Sequence, residues 1–319
     1  MGWIIESLNW IDIIRRILDE MYLRFVANNF YIMKSSNIDI DIPALLSVAE
    51  EAACGAGELA QAVFSQPRNI ESKGFRDIVT DADLAAQSKS TETILQKFPN
   101  HGFLTEEKDN SLRSNGPIIW IIDPIDGTTN YSRQIPVYSV SIAAAINRSS
   151  TRKGRIPNIG EVLCGAIYDP VRKELFSAGL GLGCWHKTND GEDMGPISVS
   201  SIEAIDTAMV GLDWGRSFKS RRGMLDALER FLNEAHSVRA MGSAALGLAW
   251  VAAGRLDVYY NAGIGPWDVA AAKVLLQEAG GRLTTQDGTF WQLGDNGCVA
   301  SNGLVHDAFL SLLVSEKLW

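Results

Sequence analysis

The sequence predicts a mixed α and β fold in two halves, with helices laid against sheets. Three features carry that reading. Small and apolar residues recur at helical spacing over residues 43–64 and again in the segment PWDVAAAKVLLQEAGG that begins at Pro266. Between them lie short apolar runs, of which IIWII at 118–122 is the clearest. The polar, Gly-containing stretch 188–196 then separates a strand-rich half from one with a less antiparallel rhythm.

Taken in order, residues 1–42 read as an N-terminal extension. Within it, 11–26 has the pattern of an amphipathic helix outside the main fold, and Met33 is an alternative start. The half spanning 43–195 opens with the helix 43–64, interspersed with Glu50, Glu51 and Glu58. After a loop at 66–69, RDIVTDADLAAQ is extended and runs into a helix over 84–98, with Asp81 and Asp83 where an N-cap is expected. Pro99, Asn100 and Gly102 stop it. IIWII reads as a buried strand ending in a polar turn, DPIDGTTN; 137–146 and 162–168 are further strands, and Asp169 and Pro170 turn the chain into 174–178 as a hairpin. In the half spanning 196–319, 224–235 and 243–253 are helices and 256–260 is a strand. Pro266 starts a helix that Gly280 and Gly281 end, and 305–317 is a terminal amphipathic helix. There is no internal repeat and no low-complexity segment.

Composition narrows the function. A formal net charge of −9 argues against a nucleic-acid partner held by a general basic surface. A phosphate ligand would then need a local cation, either Lys or Arg or a metal. Cys54, Cys164, Cys184 and Cys298 show no CxxC spacing, so they read as free thiols in a reducing compartment. The aliphatic N-terminus is interrupted by Glu6, Asp12, Arg15, Arg16, Asp19, Glu20 and Arg24, and no apolar run there approaches the roughly 20 residues of a membrane span. It also lacks the positive start and cleavage site of a signal peptide. The expectation is a cytoplasmic protein with no membrane partner.

The chemistry concentrates after IIWII. Asp123 and Asp126 are two carboxylates three residues apart at the end of a buried strand, where unpaired charge is costly. No Lys or Arg lies within six residues on the N-terminal side, and the nearest on the other is Arg133. A hard divalent cation with oxygen ligands is the economical counter-charge. A capped turn with a solvated Asp126 is the ordinary alternative for DPID alone. The following Gly127, Thr128, Thr129 and Asn130 favour the cation: a close backbone turn and a helix start offer free N–H groups to phosphate beside the carboxylates.

The chain resembles the inositol monophosphatase family of metal-dependent, lithium-sensitive sugar and inositol phosphatases. The resemblance rests on KGFRDIVTDAD (from Lys73), TEE (from Thr105), WIIDPIDGTTN (from Trp120) and GPWDVAAAKVLLQEAGG (from Gly265), in the family's order and covering residue 43 to the C-terminus. It implies a layered αβαβα sandwich of the inositol monophosphatase and fructose-bisphosphatase type. It also implies two to three Mg²⁺ ions held by Glu106, Asp123, the Ile125 carbonyl, Asp126 and Asp268. Glu106 and Thr128 would orient the attacking water, and the amides of Gly127 and Thr128 would hold the phosphate. Gly242, Ser243, Ala244 and Asn261 would contact substrate, while Lys73, Asp77, Thr80 and Asp83 form a supporting polar network. A homodimer acting on a small phosphate monoester is implied as well.

Read alone, Asp268 is a helix N-terminal acid, Glu106 and Glu107 a solvated pair and Lys73 a surface lysine; the resemblance gives them their roles. Two departures stand out. Thr105 replaces the usual Gly before the Glu pair, and Asn261 stands where inositol phosphatases often carry Glu. Asn keeps hydrogen-bonding capacity without charge, which weakens the case for myo-inositol 1-phosphate but not for the metal chemistry. The expected reaction is hydrolysis of an inositol or sugar phosphate. Histidinol phosphate, fructose 1,6-bisphosphate or 3′-phosphoadenosine 5′-phosphate are alternatives within the class, and a non-catalytic interaction protein is the alternative outside it.

Overall fold

Small residues on one helix face let elements approach closely, and the fold opens with such a helix. In α1 (Ile42–Ala62) the buried positions include Ala49, Ala52, Ala53, Ala56 and Ala60. The computed structural model describes residues 40–109, 111–112, 115–148, 159–188 and 193–314, and the described residues from Ile42 onward make one compact unit. The helix expected over 11–26 lies outside the described residues. Among those described, no helix is long and apolar enough to cross a membrane.

After α1 come a small antiparallel pair, β1 (Ile70–Gly74) and β2 (Asp77–Thr80), and the helix α2 (Asp81–Lys97). This helix begins earlier than its apolar pattern indicated. Thr80 caps it and Asp83 at the third position closes a capping box, so neither Asp81 nor Asp83 is the cap itself.

The main sheet follows: β3 (Gly102–Thr105), β4 (Ile118–Asp126), β5 (Ser139–Asn147), β6 (Ile159–Asp169), β7 (Glu174–Gly179), β8 (Gly183–Thr188) and β9 (Asp193–Pro196). They lie side by side in chain order. Only β3 and β4 are parallel; the remaining neighbours are antiparallel. Two expectations change here. β4 does not end at Ile122 but continues through DPID, fully buried, with a register irregularity between Asp123 and Asp126. Proline has no ladder donor and is tolerated inside a sheet at such a bulge, which is where Pro124 sits. Part of the Gly-containing stretch 188–196 is also strand, because β9 pairs with β8.

The second sheet holds β10 (Met209–Leu212), β11 (Ser237–Ala240), β12 (Val258–Asn261), β13 (Arg282–Thr284) and β14 (Cys298–Ser301), in the order β11-β10-β12-β14-β13. Its first three strands are parallel, and β14 runs antiparallel to both β12 and β13. Four helices accompany it: α4 (Phe218–Phe231), α5 (Ala244–Ala252), α6 (Pro266–Glu278) and α7 (His306–Val314); a short α3 (Thr128–Ser132) follows β4.

Layering follows from which faces are apolar. α1 and α2 cover one face of the large sheet. α5 and α6 are buried nearly all round and lie between the two sheets, in a core with Ile119, Ile121, Ala143, Ile167, Tyr259 and Ala300. α4 and α7 cover the far face of the second sheet through Met224, Phe231, Phe309 and Leu313. The result is α/β/α/β/α. The middle layer fits tightly: a Cβ added to Gly165 on β6 would come within 2.7 Å of the Ala271 backbone on α6.

Candidate metal and phosphate site

The strand pairing that closes the main sheet also gathers the carboxylates. β3 runs parallel to β4 with Thr105 opposite Ile122, and the Glu106 amide donates to the Ile122 carbonyl at 3.0 Å. Glu106 therefore leaves the sheet beside Asp123. On the other side of β4, Asp123 faces Ser141 and Asp126 faces Ser139. These serines dock the middle helices. Ser141 donates to the Trp267 carbonyl at 3.1 Å, seating the start of α6. Ser139 lies 3.2 Å from the Ser243 hydroxyl, which in turn donates to Asp126 at 2.6 Å at the start of α5.

Asp123, Asp126 and Asp268 each offer a carboxylate oxygen, and these oxygens lie within 4.8 Å of one another. The three side chains are buried. Asp126 accepts from the amide of Ala245 at 2.8 Å, and Asp268 from that of Gly265 at 2.7 Å. Two helix N-termini thus point at the cluster, a favourable placement for negative charge. Even so, burial, reinforced by mutual repulsion among the carboxylates, raises Asp123 well above the usual range and Asp268 to about 7. For Asp126 burial outweighs its hydrogen bonds and the direction is again upward. An all-oxygen donor set, desolvated and mutually repelling, fits a hard divalent cation. Asp123, Asp126 and Asp268 are the residues that would hold it.

Thr128 begins α3, and its hydroxyl lies 3.1 Å from an Asp83 oxygen and 3.0 Å from the Ile125 carbonyl. Asp83 accepts from the Thr80 amide at 2.8 Å and its hydroxyl at 2.6 Å, and burial raises its carboxyl to about 6. The residues of TDAD thus reach the DPIDGT segment through Thr128. Lys73 lies 2.5 Å from Glu107, 3.4 Å from Glu106 and 3.6 Å from Asp77. Burial alone would lower the lysine, but these carboxylates outweigh it and hold it above its usual range.

Gly127, after β4, and Gly242, before α5, make the turns that bring these two segments together. Both have positive φ, +99° and +78°, and a Cβ on Gly127 would stand 2.9 Å from the Gly242 carbonyl oxygen. Asn130 closes the same seam, donating to Val137 and Met241 carbonyls at 2.8 Å each. Ser243 is fully buried with its hydroxyl on Asp126, and Ala244 starts α5 beside it. Asn261 ends β12, is buried, and accepts from the Gly263 amide at 3.0 Å in a local turn.

Several participants carried no signal in sequence reading. Arg216 reaches Glu106 at 2.7 Å and Asp77 at 3.3 Å. Asp213 accepts from the Gly242 amide at 2.5 Å and the Tyr259 hydroxyl at 2.9 Å, holding the Gly242 turn in place. Burial raises Asp213 to about 7. Ser139 and Ser141 dock the middle helices as described. A period-two reading of β5 places both serines on one face, but nothing local marks that face as the one turned to the carboxylates.

Fold and site define a class: a layered sandwich with a carboxylate cluster, suited to a divalent cation, where both sheets and the middle helices meet. The family model described as "Inositol monophosphatase family" matches residues 41–318. The chain belongs to the inositol monophosphatase family, which is metal-dependent. It is 33% identical over 283 residues to an inositol-1-monophosphatase of Synechocystis, covering 88% of this chain and 92% of that one. It is 34% identical over 277 residues to the Nus factor SuhB of Escherichia coli, covering 85% and 96%. Among solved structures, an inositol monophosphatase from Anabaena superposes with a TM-score of 0.71 at 33% identity, covering 86% of this chain and 96% of that one. The Thermotoga maritima IMPase gives 0.71 at 30% identity, covering 84% and 94%. The αβαβα sandwich is the fold these neighbours share.

Proposed function

We propose that this protein is a Mg²⁺-dependent phosphatase that hydrolyses a small phosphate monoester, of the inositol phosphate or sugar phosphate kind. One observation carries the reading. Three buried carboxylates, with oxygens within 4.8 Å of one another, converge beside the Gly127 turn and the start of α3. A divalent ion bound there would supply Lewis acidity, lowering the pKa of water so that hydroxide is available near neutral pH and offsetting charge on the leaving oxygen.

The chain's own residues do the rest. Asp123, Asp126, Asp268, Glu106 and the Ile125 carbonyl hold the ions, two to three in number. Thr128, kept in place by Asp83, shares with Glu106 the positioning of the attacking water. The amides of Gly127 and Thr128 receive phosphate oxygens, and the segment Gly242, Ser243 and Ala244, with Asn261, borders the remainder of the substrate. Lys73, Asp77 and Thr80 brace this set. Relatives carry both an enzyme's name and that of a Nus factor; the complete carboxylate cluster favours the catalytic reading over a non-catalytic interaction role.

The test is phosphate release from a panel of monoesters, including myo-inositol 1-phosphate, a fructose ester, histidinol phosphate and a nitrophenyl ester. Turnover is expected with added Mg²⁺, none in excess EDTA, and inhibition by lithium at tens of millimolar. Full turnover in EDTA would refute the metal mechanism.

A further inference from the structure

The loop between β10 and α4 is fixed at several points around the carboxylate cluster. Asp213 at its start holds the Gly242 amide. The Gly215 backbone lies against Gly263, since an added Cβ would stand 3.2 Å from the Gly263 Cα, and Arg221 Nε donates to the Gly215 carbonyl at 3.1 Å. Gly263 belongs to the segment that leads into Asp268. Ser217 at the loop's end caps α4 by accepting from the Ser220 amide at 2.9 Å. Arg216 is therefore presented from a held backbone, on the α6 side, and reaches across to Glu106 and Asp77 on the other.

Its guanidinium has donors to spare. Nη2 is directed at Glu106 and Nη1 at Asp77, which leaves Nε and one hydrogen on each terminal nitrogen. The side chain is 52% exposed although the carboxylate it touches is buried. A divalent ion drawing on Glu106 would weaken that ion pair and leave more of the guanidinium available. Asn261 is neutral and its side-chain oxygen is engaged by Gly263, so it neither repels an anion nor offers a charged acceptor to a polyol.

Resting on the phosphatase reading above, we propose that Arg216 is a specificity-determining residue that binds a second anionic group, phosphate or carboxylate, on the phosphate monoester. The preferred substrates are then doubly anionic esters rather than neutral polyol monophosphates. Arginine matches either anion with paired, charge-assisted hydrogen bonds.

The experiment compares matched esters that differ by one anionic group: fructose 1-phosphate with fructose 1,6-bisphosphate, and adenosine 3′-monophosphate with adenosine 3′,5′-bisphosphate. The two pairs distinguish a sugar from a nucleoside carrier. Wild type is expected to favour the two-anion member of at least one pair by about ten- to a hundredfold in kcat/KM, the worth of a charge-assisted hydrogen bond. Arg216→Gln should collapse that ratio towards unity, and Arg216→Lys should restore part of it. Loss of the Arg216–Glu106 contact affects both members of a pair alike, so the ratio separates substrate recognition from the bracing of Glu106. Calorimetric binding of the phosphonate analogues reads the same ratio without turnover. A protein that hydrolyses neither these esters nor any of the monoester panel above refutes the phosphatase reading, and the binding ratio still judges Arg216. A wild-type ratio near one in both pairs, or an unchanged ratio in Arg216→Gln, overturns the assignment.

Discussion

Asp268→Asn should make the metal-free protein more stable at neutral pH while abolishing its response to metal. The Asp268 carboxyl is raised from 3.8 to about 7 by burial and by the neighbouring Asp126 carboxylate. A folded-state pKa above the unfolded one means that its contribution to stability is intact below pH 3.8 and is lost as pH rises through about 7. At about pH 8 the cost of holding this group ionised reaches up to about 4 kcal/mol, since each tenfold change in proton affinity is worth roughly 1.4 kcal/mol. At about pH 5.5 it falls to roughly 2 kcal/mol. Asparagine keeps an oxygen to accept the Gly265 amide, and its NH₂ group can donate to Asp123, so the variant loses the charge without losing the fit. Thermal unfolding in EDTA at both pH values is the assay. The variant should melt several degrees above wild type at pH 8, with the gap roughly halved at pH 5.5. Excess Mg²⁺ should narrow the gap at pH 8 and close it at pH 5.5, because a ligand at a hundred times its Kd stabilises wild type by about 2.7 kcal/mol and the variant lacks the site. A variant no more stable than wild type in EDTA at pH 8 would refute the account of the cluster.

Other outcomes test neighbouring parts of the site. Asp123→Asn should keep the fold and lose more activity than the roughly 10–100-fold typical of an outer-shell partner; near-normal turnover at saturating Mg²⁺ would remove it from the ligand set. Asn130→Ala leaves the Val137 and Met241 carbonyls without their donor and should cost about 1–3 kcal/mol, read as a lowered urea midpoint. Asn261→Glu should raise kcat/KM for myo-inositol 1-phosphate relative to nitrophenyl phosphate on the order of tenfold; an unchanged ratio would take residue 261 out of the substrate site.

What could be read without coordinates is what short-range chemistry controls. An uninterrupted apolar run has to be buried, so IIWII announced β4, and two acids at its end announced a need for counter-charge. Periodicity marked α1, α5 and α6, and Pro266 with Gly280 marked the limits of α6. The start of α2 was also legible in principle, since Thr80 and Asp83 have capping-box spacing, yet the apolar pattern begins only at Leu84 and masked it. The motifs' resemblance to a family supplied Asp268 and Glu106 as partners, which spacing alone did not.

Tertiary structure decided the rest, because contact between distant segments depends on register and docking that no local pattern encodes. The extension of β4 through Pro124 is set by pairing with β5, which a bulge accommodates. Asp268 meets Asp123 because Ser141, opposite Asp123, seats the start of α6. Arg216 and Asp213 lie in a loop whose local sequence marks neither as functional. They acquire roles only when packing against Gly263 and Gly242 brings one to Glu106 and the other under the turn. The sequence by itself determined the donor chemistry and the family; the folded chain decided which carboxylate meets which, and that Arg216 reaches Glu106.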